Sequence, residues 1–491
     1  MKKMMRNIVF AMITKLALVV SGVITQRFIL HGYGSEINGL TSSITQFLTY
    51  FSLLEAGLGI ASVQALYKPL YANDFDSVNG ILAATSSQYK KTGLLFLVFT
   101  VVLAIAMPFI STSSLDNWLV IIITLLMGLA NVLNYLFIGR YQVLLTADRN
   151  IFVIHILDAV LGIAFAVIRV LMVNAGLSIV LVQTVALLSP MARMAVLYVY
   201  TKIRYPEVSH VATPNYQAIS KRKFVLTHQA VGMVTNHTAT IILTVFSTLT
   251  TVSVYSVYNL IYSNVHTVVS TTFSSATQAS FARLYEAENK KFNLYYSLYE
   301  MVYTFLLFAL MTAVLIMTLP FVRLYTYGIE NVDYVDFPVA LLFMISMLLN
   351  LVRIPSIIMI NIVGSFKETQ RGAIIEAVIA FSVSLLGFFV LGMQGLLLGT
   401  CVAMIYRSID VLLYNYRKIL NMKIIAWVAM FGVNVGISIL YYTLCVNVID
   451  LPTDTWGRWF AAGVIYSILG LFMFGIPLFV IYLAWYRKKL K

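Results

Sequence analysis

The stretch Arg27–Pro69 reads RFILHGYGSEINGLTSSITQFLTYFSLLEAGLGIASVQALYKP. An apolar helix arriving from Asn7 ends within Arg27–Leu30. A glycine-rich turn covers His31–Gly34, and a second apolar helix runs from about Leu40 to Leu66, stopping at Tyr67-Lys68-Pro69. Each run approaches or exceeds the roughly 20 residues that cross a bilayer core, so the chain spans the membrane and returns. Glu55 falls inside the second helix, beside Ala56-Gly57-Leu58-Gly59. A carboxylate at that depth is costly unless it faces protein or water, which makes it a candidate for function. Its structural alternative is a carboxylate held by a neighbouring cation for packing.

The whole chain fits that solvent. Of 491 residues, 60% are hydrophobic and 11% charged, against roughly 25% charged in a soluble domain. Mean hydropathy is +0.89. About twelve further apolar runs of spanning length follow the first two, giving about 14 transmembrane helices in an all-α integral membrane protein. The last two are Ile424–Val446 and Trp459–Tyr486. The run from Asn7 to Leu30 is longer than a secretory h-region of roughly 7–15 residues, so it reads as a retained first helix. Cys401 and Cys445 both lie in apolar runs, and no disulfide framework is implied.

The net charge of +14 is explained by orientation rather than by nucleic acid. Lys and Arg cluster in alternate loops, including Lys2-Lys3, Lys90-Lys91, Lys221-Arg222-Lys223, Arg417-Lys418 and Arg487-Lys488-Lys489. The opposite loops hold only Arg323 and Arg458, and are acidic at Asp116, Glu330, Asp333, Asp336, Asp450 and Asp454. The basic side is then cytoplasmic, with both termini on it. The loop Asn73–Lys91 carries Phe75, Val78, Ile81 and Leu82 at helical spacing. It reads as a helix on the membrane surface, or alternatively one packed on protein.

The longest polar linker, 201–223, contains Pro206 and Pro214. It separates an N-terminal six-helix lobe (1–200) from a second (224–417), leaving 418–491 as an additional helix pair. Both halves open on a basic cluster and a polar-laced helix, as in transporters built from repeats around a midplane site.

Arg27, Gly34-Ser35-Glu36-Ile37-Asn38-Gly39-Leu40, Glu55-Ala56-Gly57-Leu58-Gly59 and Leu66-Tyr67-Lys68-Pro69-Leu70 together resemble the N-terminal signature of bacterial polysaccharide flippases. These are Wzx-type members of the multidrug/oligosaccharidyl-lipid/polysaccharide exporter superfamily. The resemblance implies two rocking six-helix lobes, alternating access, and a central cavity for sugar and diphosphate with the lipid tail outside.

Six cations fall within spans: Lys15, Arg27, Arg169, Arg193, Arg353 and Arg407. Four carboxylates do too: Glu55, Asp158, Glu376 and Asp410. At 1.5 Å per residue, Lys15 and Glu55 lie at roughly 12 and 16 Å from the basic side, and Asp158 and Arg193 at roughly 11 Å, so both pairs are candidate ion pairs. Arg407 and Asp410 are i,i+3 neighbours. The excess of cations suits a diphosphate, because the guanidinium fork binds phosphate bidentately. The structural alternative is that these cations pair internally or snorkel to the interface. Tyr255, Asn259, Tyr262 and His266 fall at i, i+4, i+7 and i+11, one helical face. That face suits sugar contact or, alternatively, helix packing. The preceding span carries His228, Gln229, Asn236, His237 and Thr238. The histidines lack metal-ligand spacing, and no nucleotide or nucleophile motif is present.

The expected function is a flippase for a polyprenyl-diphosphate-linked oligosaccharide in the bacterial plasma membrane, serving surface polysaccharide biosynthesis. The six cations and the Tyr255–His266 face are its substrate-binding candidates, and the four carboxylates its ion-coupling or gating candidates. No cofactor is expected beyond a proton or sodium gradient. Expected partners are the lipid-linked oligosaccharide, membrane lipids and other polysaccharide-assembly proteins, and not nucleic acid. The rivals are a multidrug/cation antiporter or a lipid II flippase of the same superfamily, and a membrane glycan polymerase or ligase. The topology has a direct test. With Cys401 and Cys445 replaced, an impermeant thiol reagent outside intact cells is expected to label a cysteine at Thr453 and not one at Ser209. Labelling at Ser209 alone would reverse the orientation.

Overall fold

The computed structural model describes the backbone of residues 2–55, 58–208, 212–218, 223–287 and 291–490. It describes their side chains outside 2–9, 11–12, 53–54, 223–231, 234–236, 274–276, 279, 286 and 480–490. The chain is all-α, because in hydrocarbon a helix satisfies its backbone polar groups within one segment. Ten helices among the described residues are long and apolar enough to cross a membrane.

α1 (Lys2–Phe51) contains the hairpin expected at its centre. Gly34 sits at φ 82°, ψ 179° and breaks the helix there, in a region open to glycine. The second limb was expected to run unbroken to Leu66, and it does not. It ends in a 3-10 turn, Ser52–Glu55, before α2 (Leu58–Ala72) begins. Glu55 therefore lies at a break rather than within a helix. Ala56 and Gly57 lie outside the described residues.

α3 (Phe75–Ile110) starts at an Asp74 cap that accepts from Ser77 N at 3.1 Å. The Ser77 hydroxyl and amide hold the Asp74 carboxyl below the usual carboxylate range. α3 is one continuous helix of 36 residues. The expected surface helix is its first half, and Val78, Ile81 and Leu82 are buried against Leu58, Leu66, Tyr141 and Leu144. Protein, not lipid, covers that face.

α4 (Asn117–Leu133) continues through a π turn, Asn134–Ile138, into α5 (Gly139–Ala147). α6 (Phe152–Asn174) and α7 (Ile179–Arg204) follow, then α8 (Lys223–Phe246) and α9 (Leu249–Glu286). α10 (Phe292–Tyr325) is the most enclosed of the spans, 67% buried where α6 is 6%. α11 (Phe337–Val352) and α12 (Ile354–Val363) replace a single expected span. Pro355 stands in the first turn of α12, where it has no N–H to give and disfavours helix in the residue before it. Arg353 is at the break. α13 (Phe366–Tyr414) is a second hairpin broken at Leu391-Gly392, with Gly392 at φ 60°. Its limbs close on glycine: a Cβ on Gly395 would fall 1.9 Å from the Gly387 carbonyl oxygen. α14 (Ile425–Leu444) and α15 (Trp456–Leu490) end the chain. Counting the two broken hairpins as pairs, and adding α8 and the polar α9, the spans agree with the 14 expected.

The chain forms two compact units, 1–254 and 255–491. Within the first, a core of Ile29, Leu40, Phe96, Leu103, Ile123 and Val182 accompanies the Leu58–Leu144 cluster. In the same unit a polar seam joins the second limb of α1 to α8 and the first turn of α9. Ser43 meets Thr244 at 2.7 Å, Gln46 meets His237 at 2.5 Å and Tyr50 meets Thr238 at 2.8 Å. Asn38 donates to Ser253 at 2.7 Å. The remaining polar residues of the α8 span, His228, Gln229 and Asn236, lie outside the described side chains. Large apolar side chains point outward, with Phe109 87%, Val390 78% and Phe460 67% exposed, as a lipid-facing surface requires. The acidic turns have local work: Asp116 caps α4, and Asp336 caps α11 through Val339 N at 3.1 Å.

A Cβ on Gly39 would lie 1.8 Å from the Leu249 carbonyl oxygen. Gly39→Val is therefore expected to lower the thermal midpoint, by overpacking worth about 1–3 kcal/mol. Gly22→Val, with nothing within 4 Å, is expected to leave it unchanged. Equal midpoints would contradict the close approach.

Candidate functional site

The second unit gathers four of the ten predicted charges, Arg353, Arg407, Glu376 and Asp410, into one network. Arg353, at the α11–α12 break, donates to Glu376 Oε1 at 2.9 Å. Arg407 reaches the other oxygen of Glu376 at 3.4 Å, and Asp410 at 2.6 Å. A carbonyl oxygen, that of Thr369, also accepts from Arg407 at 3.2 Å. Gly372 makes this possible, since a Cβ there would fall 2.0 Å from Asp410 Oδ2. His266 shares a hydrogen bond with Asn350 and lies beside Arg353. Two guanidiniums thus face two carboxylates, and the set is neutral. The Arg407–Asp410 pair was expected; the bridging of two arginines by Glu376 was not.

Tyr255 and Tyr262, expected at a sugar-binding face, are 5% and 0% exposed. Both pack on the ring of Phe343, at 4.9 and 5.6 Å. The Tyr262 hydroxyl donates to the Ala340 carbonyl at 3.0 Å. In this conformation these rings offer no surface to a ligand. Asn259 and His266 are half-buried.

In the first unit, Arg193 pairs with Asp158 at 3.1 Å, as their equal depth suggested. The expected Lys15–Glu55 pair is absent among the described residues. Glu55 instead accepts from the Tyr89 hydroxyl at 2.7 Å and from Tyr135. Tyr89 is seated by two glycines: a Cβ on Gly139 would lie 2.7 Å from its ring, and one on Gly59 3.3 Å from its hydroxyl. Lys15 is exposed near His155 and makes no ion pair among the described residues. Arg27 is half-buried on α1. Arg169 meets a neutral partner, Gln183 Oε1, at 3.3 Å, and its buried Nε has no hydrogen-bond acceptor.

One carboxylate escaped the sequence reading. Glu300 on α10 is 2% exposed and accepts from Tyr296 at 3.2 Å and from Tyr416. Asn415 donates to Tyr296 at 2.9 Å and to Ser356 at 3.0 Å, completing the cluster. The sequence does carry the signal: Glu300 lies inside a spanning run, one turn from Tyr296. Each unit therefore holds a carboxylate met by two tyrosines and by no cation among the described residues.

No family model matches the sequence, and no curated protein matches it. Solved structures do. The fold is similar to a structure described as the lipid II flippase MurJ in an inward closed conformation (TM-score 0.72, 12% identity, covering 98% of this chain and 100% of that one). It is also similar to an inward-facing multidrug resistance MATE family transporter of the MOP superfamily (TM-score 0.68, 13% identity, covering 84% and 98%). A MATE in a bent conformation matches at a TM-score of 0.57 and 13% identity, covering 88% and 97%. The class this defines is a multi-pass helical membrane protein with the fold shared by these flippase and multidrug-transporter structures.

The bridging role of Glu376 is measurable. Glu376→Ala leaves two buried guanidiniums facing one partly exposed carboxylate, and is expected to destabilise the protein by about 3–5 kcal/mol. Adding Arg353→Met is expected to restore much of that loss. A thermal midpoint that Glu376→Ala leaves unchanged would contradict the network.

Proposed function

We propose that this chain is a flippase that moves a polyprenyl-diphosphate-linked oligosaccharide across the bacterial plasma membrane by alternating access, for surface polysaccharide assembly. The observation that carries this reading is Arg169. A half-buried guanidinium near the end of α6 has a neutral amide partner and, among the described residues, no carboxylate, so it is left with capacity for an anion. Lys15 adds a second cation outside the described ion pairs. A diphosphate supplies the charge and the acceptor oxygens that such a set lacks. Arg193, Arg353 and Arg407 are compensated by Asp158, Glu376 and Asp410, so these six residues hold each unit together internally and the substrate charge falls to Lys15 and Arg169.

The remaining carboxylates take the coupling role. Glu55 and Glu300, met by phenols rather than cations, are the groups that a proton or sodium ion from the gradient would neutralise. The hydroxyl seam between α1 and α8 is the gate that parts when the cavity opens outward; its bonds are neutral and exchangeable with water, which keeps both states close in energy. The termini and basic loops lie on the cytoplasmic side.

The length of the likeness supports a lipid-linked cargo over a multidrug one. The MurJ structure covers 98% of the chain and the MATE transporter 84%. The difference is comparable to the α14–α15 pair. A second reading takes lipid II as cargo, which is what the MurJ structure is named for.

In cells lacking the protein, lipid-linked oligosaccharide is expected to accumulate on the cytoplasmic leaflet while glycosyl transfer continues. Restoring the chain should clear it, and Arg169→Gln should slow clearance about tenfold or more, the scale of one charge-assisted hydrogen bond. Arg169→Lys should keep part of the activity. Full clearance by Arg169→Gln would refute the binding role, and rescue of a lipid II flippase defect without effect on surface glycan would favour the second reading.

A further inference from the structure

A cavity of about 760 Å³ opens in the first unit, at the end that carries the basic loops and away from Arg169. α3 contributes Lys90 and Lys91, α5 contributes Arg140, and α7 contributes Lys202. No carboxylate lines it, and none of the four cations makes an ion pair among the described residues. Lys90, Lys91 and Lys202 are exposed and Arg140 half-buried, so the four like charges are screened by solvent when the site is empty and together attract an anion.

The site is built rather than incidental. The Arg140 guanidinium lies over the Tyr141 ring, 4.5 Å from its centre, and Lys91 Nζ lies 5.9 Å from the centre of the Tyr216 ring. These contacts orient the cations without neutralising them. The segment following α7 closes one side and is fastened to α3. Asn79 donates to the Glu207 carbonyl at 3.1 Å, Asn215 N to the Gly80 carbonyl at 2.9 Å, and Ser87 bonds Tyr216 at 2.9 Å.

The rest of the wall sets Leu82, Leu94 and Leu144 beside the hydroxyl-bearing Ser86, Ser87 and Thr201. At the mouth, Leu94 is 57% exposed. The exposed face of α3 continues upward through Val98 (57%), Val102 (57%) and Ile105 (58%), at i+4, i+8 and i+11 from Leu94, one stripe of the helix. A charged chamber thus opens onto a lipid-facing apolar track.

We propose that this cavity binds the phosphate headgroup of an anionic phospholipid from the adjoining leaflet, with an acyl chain along the Leu94–Ile105 stripe of α3. A phosphodiester supplies the missing counter-charge and accepts from the wall hydroxyls, and an acyl chain accounts for the apolar stripe that begins at Leu94. The bound lipid joins α3, α5 and α7 to the segment that follows α7. Free phosphate shares the headgroup chemistry but has no use for the track. The site is separate from the cargo-binding residues, and the proposal holds whatever the cargo is.

The test uses the purified full chain in phosphatidylcholine nanodiscs, titrated with phosphatidylglycerol, and separately with inorganic phosphate and glycerol 3-phosphate. Phosphatidylglycerol is expected to raise the thermal midpoint and to be retained in native mass spectra, while the two soluble phosphates do neither. Lys90→Gln/Lys202→Gln, two exposed positions, should weaken phosphatidylglycerol binding at least about tenfold with an unchanged midpoint in phosphatidylcholine alone. Lys367→Gln/Arg371→Gln, basic but outside the cavity, should bind as the parent does. If the first double variant folds poorly, Arg140→Gln is scored in its place. Equal protection by inorganic phosphate would overturn the lipid assignment. Undiminished phosphatidylglycerol binding in the cavity variants would overturn the site.

Discussion

A carbonyl freed inside a bilayer has no water to turn to, and neither has a charge. That constraint shapes the irregular points of this fold. At the α11–α12 break the Leu351 carbonyl accepts from the Tyr303 hydroxyl at 2.7 Å, and the Leu349 carbonyl from Ser408 at 2.8 Å. The same break places Arg353 against Glu376. Side chains from neighbouring helices answer the groups that Pro355 releases, which is how a membrane helix tolerates proline. The break, the arginine and its carboxylate belong to one arrangement.

Charge is answered in the same local way, and where it is not, function enters. The second unit neutralises Arg353 and Arg407 with Glu376 and Asp410. The first unit neutralises Arg193 with Asp158 and gives Arg169 the Gln183 amide and the nearby Tyr33 phenol, with no carboxylate among the described residues. Glu55 and Glu300 meet phenols, whose hydroxyls stabilise a carboxylate without removing its charge. In the proposed function, an anionic cargo and a small cation would each complete what the polypeptide leaves incomplete, and this is how the proposal ties the fold to transport.

Much of the architecture was legible in the sequence because a bilayer demands long apolar runs, and a glycine turn such as His31–Gly34 interrupts them visibly. The breaks at Ser52–Glu55 and at Arg353 were not, since hydropathy runs straight through both. Pro355 was the one local sign of the second. Depth along a helix correctly matched Asp158 with Arg193. It failed for Lys15 and Glu55 because depth carries no information about rotation around the helix axis, and Tyr89 and Tyr135 come from segments with no periodic link to Glu55. Tyr262 looked like a sugar platform from spacing alone; its burial on Phe343 depends on a helix some 80 residues away, beyond any local pattern.

The central proposal is that Lys15 and Arg169 in the first unit carry a diphosphate across the membrane. Vesicles containing the purified chain can be given a fluorescent oligosaccharide linked to the polyprenol by a diphosphate, or by a monophosphate, and the fraction crossing to the opposite leaflet measured over time. The account predicts rapid crossing of the diphosphate form. The monophosphate form, with fewer acceptor oxygens for the cations, should cross more slowly by about tenfold or more, the scale of one charge-assisted hydrogen bond. Equal rates for the two lipids would contradict it.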